Sequence, residues 1–509
     1  MIARLAKKWY GDFTREELLR ALLLGAAFAC IIGTYWTMRP LKDALFKAVV
    51  IGEGPSADAS WLAWAKIVSV LVLVPVTLAY SRLVDCLQRN RLFCVLGGLA
   101  SGLLILFALL FSDAAWGLPN KEASPARLLG WSWYVFVEAY GSLMIALFWA
   151  YCSDCIDAES AKRSFPLIVL LGQVGGMIGP QSTDLPAMLG FQTSAPLVAA
   201  CGASTLAVVL LIRWFASHSD RPDRMPAAHA AAVRQSRDES ATGFLKGLRL
   251  LLTDRYLMGI FAAVAVYEVV VTIFDFNFKR LAFAATSGDQ ATASLLGDYG
   301  SMVNLVSFVC LACGISNVQR RLGMRAALCS MPFAVGAMVL AFEVAPTLTV
   351  LFWIMVAGKA VNYALNAPSL KQLYIPTSHD AKYKSQAWIE VFGARGAKAA
   401  GSGVNTLLRV FQAGAAGPAA GLAMYMVFAS TLSGVLLVGW FFVAWFLAGE
   451  YERRIAAPRQ DDDRSHGPDP QTQTPPPENG MPRVAAPAGC VEDWGCHPAG
   501  ASEAADCPG

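Results

Sequence analysis

The sequence predicts an all-α membrane protein: twelve transmembrane helices in two six-helix bundles, followed by a disordered C-terminal tail. Three observations predict it. The 509 residues are 56% hydrophobic and only 15% charged, against roughly 25% charge in a soluble domain. Twelve apolar runs can be drawn, each near the roughly 20 residues needed to cross the hydrocarbon core. The loops between them alternate in basicity from one end of the chain to the other.

The runs fall at about 18–38, 61–81, 93–112, 130–152, 165–189, 195–215, 256–278, 299–318, 325–345, 347–367, 386–408 and 419–447. Before the first stand Arg4, Lys7 and Lys8. Arg82, Arg89 and Arg91 separate the second from the third, and Lys162 and Arg163 the fourth from the fifth. The connection from Arg213 to Arg255 divides the runs six and six. Arg320, Arg321 and Arg325 follow the eighth run; Lys371, Lys382 and Lys384 follow the tenth; Arg453 and Arg454 leave the twelfth. The intervening loops, such as 182–196 and 343–347, carry almost no Lys or Arg. Basic loops stay in the cytoplasm, so both termini are expected there.

Each half has a short basic loop after its second run, at 81–91 and at 316–325. Both open on serine and place arginines just before the next run. This predicts two homologous bundles, as in the major facilitator architecture. The expected divisions are 1–215, a cytoplasmic connection at 216–250, a second bundle at 251–449 and a tail at 450–509. The tail is rich in Asp, Pro, Gln and Gly and cannot bury enough apolar surface to fold. The first 20 residues lack a small-residue cleavage site, so the first helix is expected to remain as an anchor.

Several functions are disfavoured. A net charge of +4 is too small for nucleic-acid binding. Most of the twelve cysteines, including Cys30, Cys94 and Cys201, lie in apolar runs and read as small buried hydrophobes. Cys152/Cys155 and Cys310/Cys313 have a C-x-x-C spacing without a nearby histidine or a redox context. Cys490, Cys496, Cys507 and His497 in the tail offer only a weak soft-metal pattern. No metal or cofactor is expected. Gly172 and Gly175 do not begin a phosphate loop, because no Lys-Ser/Thr follows.

The informative residues are charges inside apolar runs, where each costs on the order of 3 kcal/mol and usually marks a solute pathway. Arg39 and Lys42 share a helical face, with Pro40 between them expected to bend or break the helix. They read as a phosphate clamp, or as a pair snorkelling at the membrane edge. Glu138 needs a partner, a proton or a cavity, unless it is an interfacial acid. Asp275 and Lys279 have the i, i+4 spacing of an intrahelical ion pair, with Glu268 two turns earlier. Glu390, Arg395 and Lys398 lie close together among glycines that allow close approach of a helix or ligand. Guanidinium suits bidentate phosphate contact, and lysine acts as a point charge. Lys371, between Pro368 and Pro376, reads equally as a positive-inside residue.

Taken together, these segments resemble the non-mitochondrial ATP/ADP translocase family of bacteria and plastids. Tyr35, Arg39, Lys42 and Asp43 match its first-helix pattern. Glu138, Gly141, Ser142, Phe148, Trp149, Ala161, Lys162, Arg163 and Pro166 match a second block, with Tyr140 in place of Trp. Tyr267 to Lys279 matches a third, with Asp275 in place of Glu. Lys359, Tyr363, Leu365, Pro368, Tyr374, Ile375, Pro376, Lys382, Lys384, Ile389, Arg395, Lys398 and Gly401 match a fourth, with Glu390 in place of Asp. The resemblance covers both halves but not the tail. It implies a major-facilitator-like carrier that exchanges nucleotides across a bacterial inner membrane, and it marks Lys42, Glu138 and Asp275 as important for transport. The family's fourth such residue is a lysine where this chain has Leu370, with Lys371 one position later. The family's F-D-P is here Asn366-Ala-Pro368.

The expected function is therefore a multi-pass nucleotide exchanger working by alternating access. Arg39, Lys42, Arg395 and Lys398 would bind phosphates, and Glu138 and Asp275 would balance these cations or bind a proton. A carrier of another organic or phosphorylated anion is the second reading, favoured by Leu370. A non-transporting scaffold or sensor is the third. The expected partners are a small anionic substrate and the lipid bilayer; the sequence leaves the oligomeric state open.

Overall fold

The computed structural model describes residues 14–54, 57–87, 89–156, 158–218, 248–312, 317–377, 385–386 and 388–456. The expectations for Arg4, Lys7, Lys8, Cys313, Lys382, Lys384, most of the 216–250 connection and the cysteine-bearing tail fall outside these residues. So do those for the side chains of Arg89, Lys162, Arg163, Arg320 and Arg321. Every regular element among the described residues is helical.

Helix α1 (Arg15–Phe46) opens on a capping box. The Glu17 amide donates to Thr14 Oγ1 at 3.2 Å, and the Thr14 amide donates to the Glu17 carboxylate at 3.0 Å. Both orphan donors are thereby satisfied. Regular helix continues through the buried Pro40 to Phe46, so the expected break does not occur there. The wide turn comes later, as π-helix Lys47–Ile51, and ends at Gly52 with φ +81°. Only glycine adopts that left-handed backbone without strain.

The remaining N-terminal helices are α2 (Ser60–Cys86), α3 (Arg89–Ser112), α4 (Leu128–Cys155), α5 (Ala158–Gln181) and α6 (Ala195–His218). The C-terminal stretch follows with α7 (Arg255–Ala285), α8 (Gly288–Ala312), α9 (Asn317–Val344) and α10 (Leu348–Val361). Helix α10 runs on through a π turn, Asn362–Asn366, into Ala367–Gln372. A third π turn, Trp388–Gly393, leads into α11 (Ala394–Gly414), and α12 (Pro418–Ala456) completes the described chain.

Nine of the described helices are long and apolar enough to cross a membrane. Helices α5, α8 and α11 occupy three of the twelve expected runs but are not among the nine. Helix α11 carries Arg395, Lys398 and Arg409, α8 carries Asp289 and Asp298, and α5 is rich in glycine. Arg395, Lys398 and the glycines of α5 are used in the interior, as described below.

Large apolar side chains such as Leu71, Leu109, Leu210, Phe333 and Phe442 face outward, the surface a bilayer requires. The interior is aromatic, with Phe46, Phe93, Phe111, Trp133, Tyr134 and Phe148 fully buried in the N-terminal stretch. Helices α1 and α5 meet backbone to backbone. A Cβ on Gly175 would stand 2.1 Å from the Ala29 carbonyl oxygen, and Thr37 Oγ1 donates to the Gly179 carbonyl at 2.8 Å. Small residues permit such contact where lipid supplies no hydrophobic drive between helices.

Helix α8 packs on α1 and α5, and α11 packs on α2, joining the C-terminal to the N-terminal stretch. The polar contacts described between the two stretches near the helix ends gather at one end. Lys47 Nζ donates to the Thr286 carbonyl at 2.6 Å and to Thr292 Oγ1 at 3.2 Å. The Ser194 amide donates to Asp289 at 2.7 Å, and Gln290 Nε2 donates to the Phe191 carbonyl at 2.7 Å. The Gly288 amide donates to Glu53, and Arg409 pairs with Asp58. This end is closed.

The backbone contact between α1 and α5 gives a direct stability test. Gly175→Leu should lower stability by about 1–3 kcal/mol or more, because the new side chain overlaps fixed backbone. Gly98 has nothing within 4 Å of a built Cβ, so Gly98→Ala should be neutral or slightly stabilising. Thermal unfolding of the two variants in detergent checks this; equal transition temperatures would refute the contact.

Candidate substrate-binding site

Helical periodicity brings the buried charges together. On α1, Tyr35, Arg39, Lys42 and Asp43 repeat at four, three and one residues and share a face. On α4, Tyr134, Glu138 and Ser142 repeat every four. On α7, Glu268, Asp275 and Lys279 lie at intervals of seven and four. Helix α10 adds Lys359, α11 adds Arg395 and Lys398, and α2 adds Lys66. The faces converge on one another through the contacts that follow.

The most connected group is Asp275. Its carboxylate accepts from Lys66 at 2.9 Å, Lys279 at 3.0 Å and Lys359 at 3.2 Å. Lys279 also reaches Asp43 at 2.7 Å. Lys42 pairs with Glu138 and lies 4.4 Å from the Tyr134 ring centroid. Arg39 stacks on Trp36 at 4.8 Å, with Tyr35, Tyr299 and Tyr363 around it. Lys398 is 3.7 Å from Glu268, and Arg395 donates to Ser142 Oγ at 3.1 Å.

Accessibility rises steadily along this column. The side chains of Asp43, Lys279, Asp275 and Lys359 are 5–12% exposed, that of Glu138 is 36% and that of Lys398 is 51%. Yet Lys398 interacts electrostatically with Glu268 on α7, Glu138 on α4, and Tyr35 and Arg39 on α1. A side chain ringed by groups of three helices and still half accessible faces an internal space. The side chains of the Asp275 cluster are much less accessible than Lys398. Glu268 and Asp275 are seven residues apart on α7, so the open and deep layers are separated by about 10 Å.

Of the nine residues expected from the sequence, Arg39, Lys42, Glu138, Asp275, Lys279, Arg395 and Lys398 lie around this space. Lys371 and Glu390 do not join them. They pair with each other, and Gln386 Nε2 donates to Glu390 at 2.8 Å. Lys371 is about 18 Å along the helix from Lys359, and its side chain is 56% exposed. Glu390 was expected near Arg395; five residues of helix turn the two faces well apart, and Glu390 pairs with Lys371 instead. Asp275 and Lys279 do form the expected intrahelical pair, as part of a larger cluster. Sequence reasoning missed Lys66, although it is the sole charged residue between Asp58 and Arg82 and that isolation was a usable signal. Among the described residues, no group of three or more His, Cys, Asp or Glu side chains is placed to hold a metal ion.

Comparison with known proteins places the chain. Residues 5–451 match the family described as TLC ATP/ADP transporter. ADP,ATP carrier protein 1 of Rickettsia bellii (strain RML369-C) is 22% identical over 487 residues, covering 86% of this chain and 94% of that protein. ADP,ATP carrier protein 1 of Chlamydia trachomatis serovar D is 24% identical over 496 residues, covering 87% and 92%. Among solved structures, a bacterial homologue of the iron transporter ferroportin, inward-facing, superposes with a TM-score of 0.58 at 12% identity, covering 84% of this chain and 100% of that one. A bacterial homologue of the human lysosomal transporter Spinster, inward-facing and unoccupied, gives 0.53 at 14% identity, covering 87% and 99%. The chain shares its helical fold with these two structures, and it belongs to the TLC ATP/ADP transporter family.

Proposed function

We propose that this protein exchanges nucleotides of the ATP/ADP type across a bacterial inner membrane by alternating access. In this reading twelve helices span the bilayer as two bundles, 1–215 and 251–449. The connection 216–250, the tail 450–509 and both termini are cytoplasmic. The wet space then opens to the cytoplasm, and the end latched by Lys47 faces outward. The observation that carries the proposal is the charge of the column. Arg39, Lys42, Lys66, Lys279, Lys359, Arg395 and Lys398 face Asp43, Glu138, Glu268 and Asp275. Cations exceed carboxylates by three around a cavity wide enough for water, which suits a ligand bearing several negative charges. Family membership supports a nucleotide as that ligand.

Arg39, Lys42, Arg395 and Lys398 hold phosphates within the cavity. Glu138 and Asp275 balance cations while it is empty. Rocking of the two bundles about the filled site exposes it alternately to each side.

A second reading, transport of another phosphorylated anion, is favoured by one observation. Leu370 stands where the resembling family has a functional lysine, and the adjacent Lys371 is engaged by Glu390 away from the cavity.

Uptake of labelled ATP into proteoliposomes should require ADP inside. Uptake indifferent to nucleotide on either side would reject the nucleotide reading, and dependence on a different phosphate ester would select the second. Lys42→Ala removes the partner of Glu138 and a phosphate ligand, so uptake should fall on the order of tenfold or more with the protein still folded. Lys371→Ala removes one exposed pair worth at most about 1 kcal/mol, and uptake should change less than about threefold. The reverse ranking of the two variants would move the site away from the column.

A further inference from the structure

We propose that Lys66, Lys279 and Lys359 form the subsite for the outermost phosphoryl group of the substrate, and that the Asp275 carboxylate occupies it as a resident anion while the carrier is empty. The inference rests on the reading of the substrate as a phosphorylated anion and locates one end of it.

Three ammonium groups from three helices converge within 3.2 Å of one carboxylate. Among the described residues, Asp275 is the one carboxylate paired with Lys66 and with Lys359; Lys279 has Asp43 in addition. Three cations thus share two carboxylates where no side chain is more than 17% exposed. Burying an unmatched charge is costly, and an ionisable cluster inside a membrane segment marks a solute site. A carboxylate has two oxygens to divide among three lysines, whereas a terminal phosphoryl group offers three, one for each. The ring of Tyr299, with its centroid 5.1 Å from Lys359 Nζ, backs that lysine with an aromatic face rather than a second acid. Lys359 therefore has only its share of Asp275 as a counter-charge.

The pairs also tie the chain together. Lys66 and Asp43 belong to the N-terminal stretch; Asp275, Lys279 and Lys359 belong to the C-terminal one. A phosphoryl group entering from the wet side takes the three lysines from Asp275 and so loosens the Lys66–Asp275 and Lys279–Asp43 links beneath the closed end. Asp43 Oδ1 is buried and has no hydrogen-bond partner among the described residues, so half of that carboxylate's accepting capacity is unused while the site is empty. The subsite lies deepest in the cavity, so the number of phosphates on the substrate decides whether it is reached.

The test is direct calorimetric titration of the purified full-length protein with AMP, ADP, ATP and inorganic pyrophosphate, each measured separately. The expected wild-type order is AMP weakest and ATP tightest, with pyrophosphate also binding. In Lys66→Gln, ADP, ATP and pyrophosphate should each bind about tenfold more weakly while AMP is unchanged. The double variant Lys66→Gln/Asp275→Asn removes one cation and one anion together, and should show the same loss of discrimination if the single variant does not fold. Equal weakening of AMP, ADP and ATP, or no change in any, overturns the subsite. Wild-type protein that binds pyrophosphate through Lys66 but no nucleotide leaves the subsite standing and removes the nucleotide reading. Protein that binds neither removes both.

Discussion

The Asp275 carboxylate, shared by three lysines, fixes how much else must be true of the interior. A charge pair inside a low-dielectric region recovers its desolvation cost only when its geometry is good and its remaining donors are satisfied. Asp275 meets that demand at 2.9, 3.0 and 3.2 Å, and so pulls α2, α7 and α10 to one point. Asp43 brings in α1 through Lys279. Four helices from distant parts of the sequence are thereby held by two carboxylates. The geometry is good, but the charges do not cancel. An interior stabilised purely for its own sake would contain as many acids as bases, or apolar side chains in their place.

The fold tolerates the imbalance because aromatic faces share the burden. Lys42 lies over Tyr134, Lys359 over Tyr299 and Arg39 over Trp36. Each such contact contributes about 0.5–2 kcal/mol. Unlike a carboxylate, it does not cancel the positive potential that an incoming anion would feel. Rigid packing near the column keeps these faces in place. Glycines let α1 and α5 touch along their backbones, and a Cβ on Gly297 of α8 would stand 2.2 Å from Thr183 Oγ1. The three π turns fall at Lys47, at Asn362–Asn366 after Lys359, and at Glu390. Wide turns of this kind often mark functional positions in helices.

Much of this was legible in the sequence because the bilayer makes charge conspicuous. Arg39, Lys42, Glu138, Asp275 and Lys398 stand out against apolar neighbours, and helical spacing alone predicts which share a face. The Asp275–Lys279 pair follows from an interval of four. Which charges meet across helices does not follow, since periodicity carries no information on how two helices are juxtaposed. Lys66 is visible as an isolated cation, yet nothing local connects it to Asp275, 209 residues away. Glu390 was misplaced for a similar reason: five residues of regular helix would already turn it about 140° from Arg395, and its partner Lys371 lies on a separate element that sequence spacing does not bring near. Pro40 reads as a helix break, but its missing donor is a single lost bond in a helix packed along most of its length. The spans at α5, α8 and α11 blur at the level of composition because pathway and packing residues dilute their apolar content.

The two sets of contacts between the stretches differ in kind, and that difference bears on exchange. At the closed end Lys47 donates to the Thr286 carbonyl and Thr292 hydroxyl, Gln290 to a carbonyl, and the Gly288 amide to Glu53. These groups reach water as soon as that end opens, so each lost bond is largely replaced and the net cost per bond is only about 1 kcal/mol. The deep links, Lys66–Asp275 and Lys279–Asp43, join full charges in a far less accessible place. Breaking them without a substitute strands cations, at a cost of about 3–5 kcal/mol for a buried partner removed. A barrier higher by about 4 kcal/mol slows a step roughly a thousandfold. A phosphate that takes over the same lysines keeps those cations paired throughout, so the cost of stranding them is not incurred. In the proposed cycle the loaded carrier therefore reorients and the empty one lags, so coupling of inward to outward flux follows from the buried charge itself, without a separate device to enforce it.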